Sequence, residues 1–382
     1  VSRLTHDLIV VGAGPAGSAA AIAARREGVR RVLVLDSSPP GRDKVCGDAI
    51  GPDGASELAA LGLYGLLRPD EQVQRFRLTS PGGTSVAGEP PAVGYVVPRA
   101  ELDARLLNAA LAEGAEFEQL RVRSLHTDAC GTTVNGALRA PVVIGADGAS
   151  SVVRRAQGQA PNRGRHMAVA VRGYARTPAG RDLDELYLGW DRRRGCGLCY
   201  VWAFPTANGM TNIGYAVASS TARVGRAQLS ARLAHLLPEF DVAATRLSGH
   251  RLPLSTQRPA FAAGNVLLVG DAASLVNPIT GEGIFYALAS GAIAGRATAT
   301  HPHTAGATYA KEMRDRFGGH HRQVRWLYPF LHVPLAVESA VRACRRDDRV
   351  FHRLLDVGLG AGTVHPRDLA RFTAMALRTG PT

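Results

Sequence analysis

Gly12, Gly14 and Gly17, followed by Asp36, have the types and spacing to hold a dinucleotide. Gly12 permits a tight turn, Gly14 lets backbone approach a pyrophosphate, and Gly17 lets the next helix pack closely on a sheet. The N–H groups opening that helix would face the phosphates, and Asp36 could accept from a ribose hydroxyl. Cys46 lies in a glycine-flanked, charged loop, KVCGDAIGP, spanning Lys44–Pro52. Beside the Lys44 ammonium its thiol pKa would fall, and an exposed thiol there could donate a proton. The alternative is an inert cysteine in a packed loop. Cys196 and Cys199 form C-G-L-C ahead of a strand, without the βαβ context of a dithiol site, and read as packing. Tyr200 and Trp202 are two apart in an apparent strand, so they share a face, either in a core or as an aromatic wall for an apolar substrate.

These residues need elements to place them. Leu8–Val11 and Val32–Leu35 are apolar runs on either side of an alanine-rich segment, which gives strand, glycine turn, helix and parallel strand. Residues 53–68 read as a short helical region, and Val73–Thr79 with the following PGG turn as a strand pair continuing toward Tyr95–Val97. Arg99 opens an amphipathic helix whose buried stripe is Leu102, Leu106, Leu107 and Leu111. The strand Ala140–Ile144 runs into Gly145–Gly148, GADG, where Asp147 could hold a cofactor or merely form a turn. Residues 167–217 read as an antiparallel sheet, and Val224–Leu237 as a helix. The chain then returns through Val266–Val269 to Gly270–Asp271 and a small-residue helix.

A dinucleotide domain is thus assembled from residues 1–70, 95–165 and 255–300. Residues 71–94 and 166–254 form a substrate domain, and 301–382 a mostly helical C-terminal segment. In that segment Trp326, Tyr328 and Phe330 read as core or lid, and His320 and His321 as surface residues. The twelve histidines contain no HxxH or HExxH, so no metal site is expected. The formal charge of +13 could draw anionic lipid or an acidic substrate. Its basic residues are scattered and show no aromatic-laced nucleic-acid stretch, so no nucleic-acid partner is expected. No run of 18 uncharged apolar residues suggests a spanning helix. The start, VSRLTHD, enters the first strand too soon for a secretion signal, and five unevenly placed cysteines do not suggest a disulfide framework. A cytoplasmic protein is expected.

Together the pieces resemble FAD-dependent oxidoreductases of the aromatic-hydroxylase fold, and among them the geranylgeranyl reductase family. The resemblance covers almost the whole chain and weakens after about residue 310. It implies an α/β FAD-binding Rossmann-like domain, an inserted antiparallel-sheet substrate domain and a helical C-terminal segment. FAD would lie on Gly12, Gly14, Pro15, Ala16, Gly17, Asp36, Lys44, Cys46, Arg99, Asp147, Gly270 and Asp271. The loop NPITGEGI, Asn277–Ile284, would add Pro278, Gly281, Gly283 and Ile284 along the isoalloxazine. Backbone N–H groups freed by Gly281 and Gly283, around Glu282, would reach the flavin's carbonyl edge.

KVCGDAIGP resembles the KVCGDG stretch of bacterial geranylgeranyl and menaquinone-side-chain reductases, departing at Ala49. YVWAFP, Tyr200–Pro205, is similar to their YxWxFP substrate wall and also to the WxWxIP motif of flavin-dependent halogenases. The resemblance implies reduction of isolated double bonds in a geranylgeranyl or related isoprenoid chain. Cys46, Tyr200 and Trp202 would be its catalytic residues, and NADPH a transient electron donor. It also implies an apolar isoprenoid-like substrate and peripheral membrane contact. The alternative is an FAD-dependent monooxygenase or halogenase tailoring a specialised metabolite. A non-enzymatic nucleotide-binding protein would not need Arg99, Asp147, Asp271 and the GEG loop together.

Overall fold

The structure is a computed structural model and describes residues 5–192, 199–218 and 225–365. Leu8–Val11 and Val32–Asp36 are strands because each is an apolar run stopped by turn residues, and both are buried. They pair in parallel, Leu8 opposite Val32, inside a six-stranded sheet. Its order is 262–263, 266–268, 142–145, 8–11, 32–36 and 116–119. Every pairing is parallel except the short edge hairpin at 262–263.

A sheet of this kind must be covered by helices. The helices in chain order are α1 (Pro15–Arg26), α2 (Pro52–Ala60), α3 (Arg99–Ala112), α4 (Val152–Ala156), α5 (Arg226–Leu236), α6 (Ile284–Thr300), α7 (Ala305–Leu327), α8 (Pro334–Cys344) and α9 (Asp348–Leu359). Helices α1 and α6 meet through alanine and glycine. A Cβ on Gly291 would fall 2.1 Å from the Ala16 carbonyl oxygen, and one on Gly295 2.3 Å from that of Ala20. Small residues are therefore what bring the glycine-loop helix under α6.

The second sheet has seven strands, ordered 248–253, 167–176, 210–218, 199–205, 185–190, 75–79 and 85–88. Most of its pairings are antiparallel, as expected. The 185–190 strand, however, runs parallel to 75–79. These two strands are far apart in sequence, so no hairpin fixes their relative direction. Strand Gly94–Val96 does not extend the 75–88 hairpin. It pairs with 49–50 and 72–73 in a separate small sheet, because Pro90 and Pro91 remove two backbone donors between them.

Several local expectations change. The helix expected over 53–68 ends at Ala60, and Gly62 and Gly65 follow at positive φ. Leu111 is 38% exposed. At about 100° per residue it swings past the inner face of α3, where Ala110 takes its place. His320 and His321 are not surface residues: each is 2% exposed. They continue the inner stripe of α7, after Tyr309, Met313 and Phe317. Tyr286 Oη and His320 Nε2 are hydrogen bonded at 2.7 Å, and burial lowers the pKa of both histidines.

Of the expected aromatic cluster in the C-terminal segment, only Tyr328 is core. Trp326 and Phe330 are 57% and 50% exposed and pack on each other. Cys196 lies outside the described residues. No described helix is long and apolar enough to cross a membrane.

Candidate active site

Three loops meet at the carboxyl ends of the central parallel strands, the crevice where α/β sheets bind ligands. The first is Gly12–Gly17. Gly12 has φ +110°, and a Cβ there would sit 2.3 Å from the Ala146 carbonyl oxygen of the second loop. A Cβ on Gly17 would strike the Gly12 carbonyl at 1.8 Å, so Gly17 sets the close approach of α1 to its own strand. Gly14 caps α1 without a side-chain hydrogen bond. Asp36 pins this loop: Ala13 N donates to its Oδ2 and Ser38 N to its Oδ1, each at 2.9 Å.

Asp147, in the second loop, accepts from Ser151 Oγ at 2.5 Å, Val152 N at 2.6 Å and Val153 N at 3.2 Å, fixing the start of α4. Burial pushes its carboxyl up despite these bonds. The third loop carries Asp271, whose Oδ2 accepts from Lys44 Nζ at 2.9 Å. Burial alone would raise the Asp271 pKa, but Lys44 and the further positive groups around it hold the carboxyl below its ordinary value.

The Lys44–Asp48 loop is clamped to the second sheet. Arg172 forms a bidentate pair with Asp43 and donates to the Lys44 and Cys46 carbonyls at 2.7 and 3.1 Å. Asn212 Nδ2 donates to Cys46 O at 2.8 Å and to Asp48 Oδ2 at 2.7 Å. Asn212 Oδ1 accepts in turn from Trp202 Nε1 at 2.9 Å. At Gly47 a Cβ would touch Phe204 at 3.0 Å and Trp202 Nε1 at 3.5 Å, so the cysteine loop rests on the aromatic strand. Cys46 is half-buried. Burial pushes its thiol up; Arg99 opposes the shift and Asp48 adds to it. The expected lowering by Lys44 is therefore overturned, because desolvation dominates and Lys44 is paired with Asp271.

Along Cys199–Pro205, alternation sends Cys199, Val201 and Ala203 against α5, while Tyr200, Trp202 and Phe204 face a cavity. Gly214 makes room for the Trp202 indole, which a Cβ would meet at 2.1 Å. Tyr200 Oη comes so close to Gly281 that a Cβ there would lie 2.0 Å away, and Gly281 has φ +81°. The aromatic strand is thereby seated against the Asn277–Ile284 loop.

The cavity measures about 780 Å³, within the range of roughly 300–1,000 Å³ found for small-molecule sites. One end is polar and reaches Gly12, Gly14, Asp36 and Asp147; the other is walled by Leu186, Trp190, Tyr200, Trp202 and, from α9, Leu355. Of the residues expected at the site, Pro15, Ala16, Lys44, Cys46, Arg99, Asp271, Gly281, Gly283 and Ile284 also line it. Gly17, Gly270 and Pro278 lie behind its wall. Gly270 has φ +54°, and its N–H donates to Ser290 Oγ at 3.0 Å. The residues present fit a dinucleotide, with a glycine cradle open to phosphate and a cavity long enough to continue past it.

A sequence profile described as the FAD binding domain matches residues 5–297. The chain belongs to this FAD binding domain family. Menaquinone reductase of Mycobacterium tuberculosis is 35% identical over 308 residues, 75% of each chain. Digeranylgeranylglycerophospholipid reductase 1 of Methanopyrus kandleri is 30% identical over 340 residues, 82% of this chain and 86% of that one. A geranylgeranyl bacteriochlorophyll reductase-like protein from Thermoplasma acidophilum has the same fold, with a TM-score of 0.79 at 21% identity over 97% of this chain and 100% of its own. The protein is an FAD-dependent oxidoreductase with the Rossmann-like architecture that its sequence implies.

Sequence reasoning missed four residues of this flavoprotein's site as individuals: Asp48, Arg172, Tyr174 and Asn212. One signal was present. Arg172 is the only charge within MAVAVRGYA, an otherwise apolar strand, and a buried charge there needs a partner.

Proposed function

We propose that this flavoprotein reduces isolated double bonds in a geranylgeranyl or related isoprenoid chain. The observation that carries this reading is the continuity of the cavity, from a glycine cradle for phosphate to an apolar arm walled by aromatic and leucine side chains. The relatives named for reduction of menaquinone and of digeranylgeranylglycerophospholipid support it. Bound FAD, once reduced, supplies a hydride. NADPH is the reductant we assign, binding transiently, since the sequence has no second G-x-G-x-x-G.

The chain's residues do the rest. Gly12, Gly14 and the start of α1 bind the pyrophosphate, with Asp36 beside the ribose. Tyr200 and Trp202 hold the alkene flat and still, and an unactivated alkene depends on that placement for hydride and proton to arrive together. Leu186, Leu188 and Leu355 keep water out of the arm. Cys46, whose thiol burial keeps protonated at neutral pH, gives its proton to the second alkene carbon.

Mass analysis of products tests this reading, using chemically reduced enzyme with geranylgeranyl diphosphate and with menaquinone, first without oxygen and then with it. Anaerobic gain of paired hydrogens is expected. An oxygen-dependent mass gain with no anaerobic product would instead place the chain among monooxygenases or halogenases.

We also propose peripheral contact with an anionic membrane surface. Trp326, Phe330, Val333 and Leu335 are exposed together with Arg322 and Arg325, the pairing of apolar and basic groups that holds to such surfaces. Tyr328 and Leu331 of the same stretch face inward. Sedimentation with phosphatidylglycerol vesicles is expected to fall severalfold in W326E/F330E and to be weak on neutral vesicles. Equal binding by both proteins would remove this surface from consideration.

A further inference from the structure

Asp48 is a carboxylate with no exposed surface, at φ +66°, in the wall of the cavity. Tyr174 Oη and Asn212 Nδ2 both donate to its Oδ2, while its Oδ1 is buried without a partner. A buried oxygen left unpaired costs stability, and this one belongs to the loop that carries Cys46. Tyr174 is only partly buried, so the residue whose hydroxyl donates to Asp48 is itself in part open to solvent. The guanidinium of Arg172 stacks on the Tyr174 ring, 4.6 Å from its centroid.

We propose that Asp48 reloads the cavity with protons, taking them in through Tyr174 and returning them to the Cys46 thiol after each turnover. This rests on the reductase reading above. When the Cys46 S–H proton leaves to form the product's second C–H bond, the S–H electron pair stays on sulfur as a thiolate. The Asp48 O–H proton then passes to that thiolate, leaving a carboxylate. A solvent proton then reaches the carboxylate through the Tyr174 hydroxyl, which takes it up as it passes its own proton on, so no tyrosinate forms and the cycle consumes one solvent proton and no oxidant.

The charges around Asp48 suit this role. From the second sheet it faces Arg172, Tyr174 and the neutral Asn212. From α3 it faces Arg99, itself paired with Asp103, and from its own loop Cys46; of the other charges on that loop, Asp43 is paired with Arg172 and Lys44 with Asp271. Burial, the largest influence, brings its pKa up to about 6 in spite of the two arginines, where an acid can both give and regain a proton near neutral pH. Asp48 and Cys46 also resist ionising together, since the charge of one raises the pKa of the other.

The tests use Asp48→Asn, which keeps the side-chain shape and tolerates the left-handed backbone. Alkylation of Cys46 by iodoacetamide, followed across pH by peptide mass, reads the coupling without any turnover. Its midpoint is expected to move to lower pH in D48N. A faster reaction at every pH with the midpoint unchanged would mean that Asp48 merely holds the loop, and would overturn the proposal. In anaerobic catalysis D48N is expected to keep its first turnover while its steady-state rate falls about a hundredfold, the low end for a lost general acid. Y174F should follow it in the same direction. Equal loss of the first turnover, or an unchanged steady state, would also overturn the proposal. An inert wild type would count against the reductase reading, while the alkylation midpoint still decides the coupling.

Discussion

Arg99→Met is expected to cost about 3–5 kcal/mol, the range for breaking one side of a buried ion pair. Arg99 opens α3 and meets Asp103 one turn later in a two-pronged pair, Nε to Oδ1 and Nη2 to Oδ2, each at 2.7 Å. Both side chains are almost fully buried. They lie on the same side of α3 as Leu102 and Leu106, so losing Arg99 leaves a carboxylate in the core with no counter-charge. Asp103→Leu should cost as much, and R99M/D103L should recover most of the loss, because two apolar side chains leave nothing unpaired. Urea unfolding of the four proteins forms the cycle. A single-variant cost under about 1 kcal/mol would assign the pair the weight of an exposed one. Arg99 also opposes the burial-driven rise of the Cys46 pKa, so R99M should shift Cys46 alkylation to higher pH, opposite to D48N.

Glu282→Gln is expected to stabilise the protein at alkaline pH and to leave it unchanged in acid. Burial raises the Glu282 pKa from 4.5 to about 7, against the pull of the backbone N–H groups of Phe285, Ile284 and Gly283. A carboxyl whose folded pKa lies above its unfolded value binds more protons folded than unfolded between those two values. Stability therefore falls as pH rises through that window, and the full penalty is present above it. A shift of this size corresponds to roughly 3 kcal/mol. Glutamine keeps an oxygen for the Phe285 N–H, which Glu282 Oε1 accepts at 2.8 Å, without the charge. Denaturation at pH 5 and pH 8, at matched flavin content, measures the difference. Equal stability changes at both values would show that Glu282 does not ionise across this range.

The glycine cradle was legible because its chemistry is local. Gly12, Gly14, Gly17 and Asp36 span one strand–helix–strand unit, within which Gly17 meets the Gly12 carbonyl and Asp36 holds the Ala13 N–H. Tyr200 and Trp202 were legible as a pair because alternation along one strand needs no knowledge of its neighbours. The clamp on Cys46 was not. Arg172 and Asn212 reach the Lys44–Asp48 loop from strands more than a hundred residues away, and no spacing encodes that meeting. The thiol's titration failed for the same reason, since the sequence shows Lys44 beside Cys46 but not Asp271 taking the ammonium. His320 and His321 were misread because two adjacent polar residues look like surface until the phase of α7 is known.

The contact between α1 and α6 also constrains the order of synthesis. The glycine-loop helix leaves the ribosome long before the glycines that cover it, at 291 and 295, which lie about 275 residues beyond the Ala16 and Ala20 they meet. Until then an alanine-rich face and an incomplete parallel sheet stand open to solvent. Such distant pairings are slow to form and prone to aggregate while they wait. Nascent chains that end before Thr300 are therefore expected to depend on chaperones, and the cofactor cradle to mature only once α6 has been made.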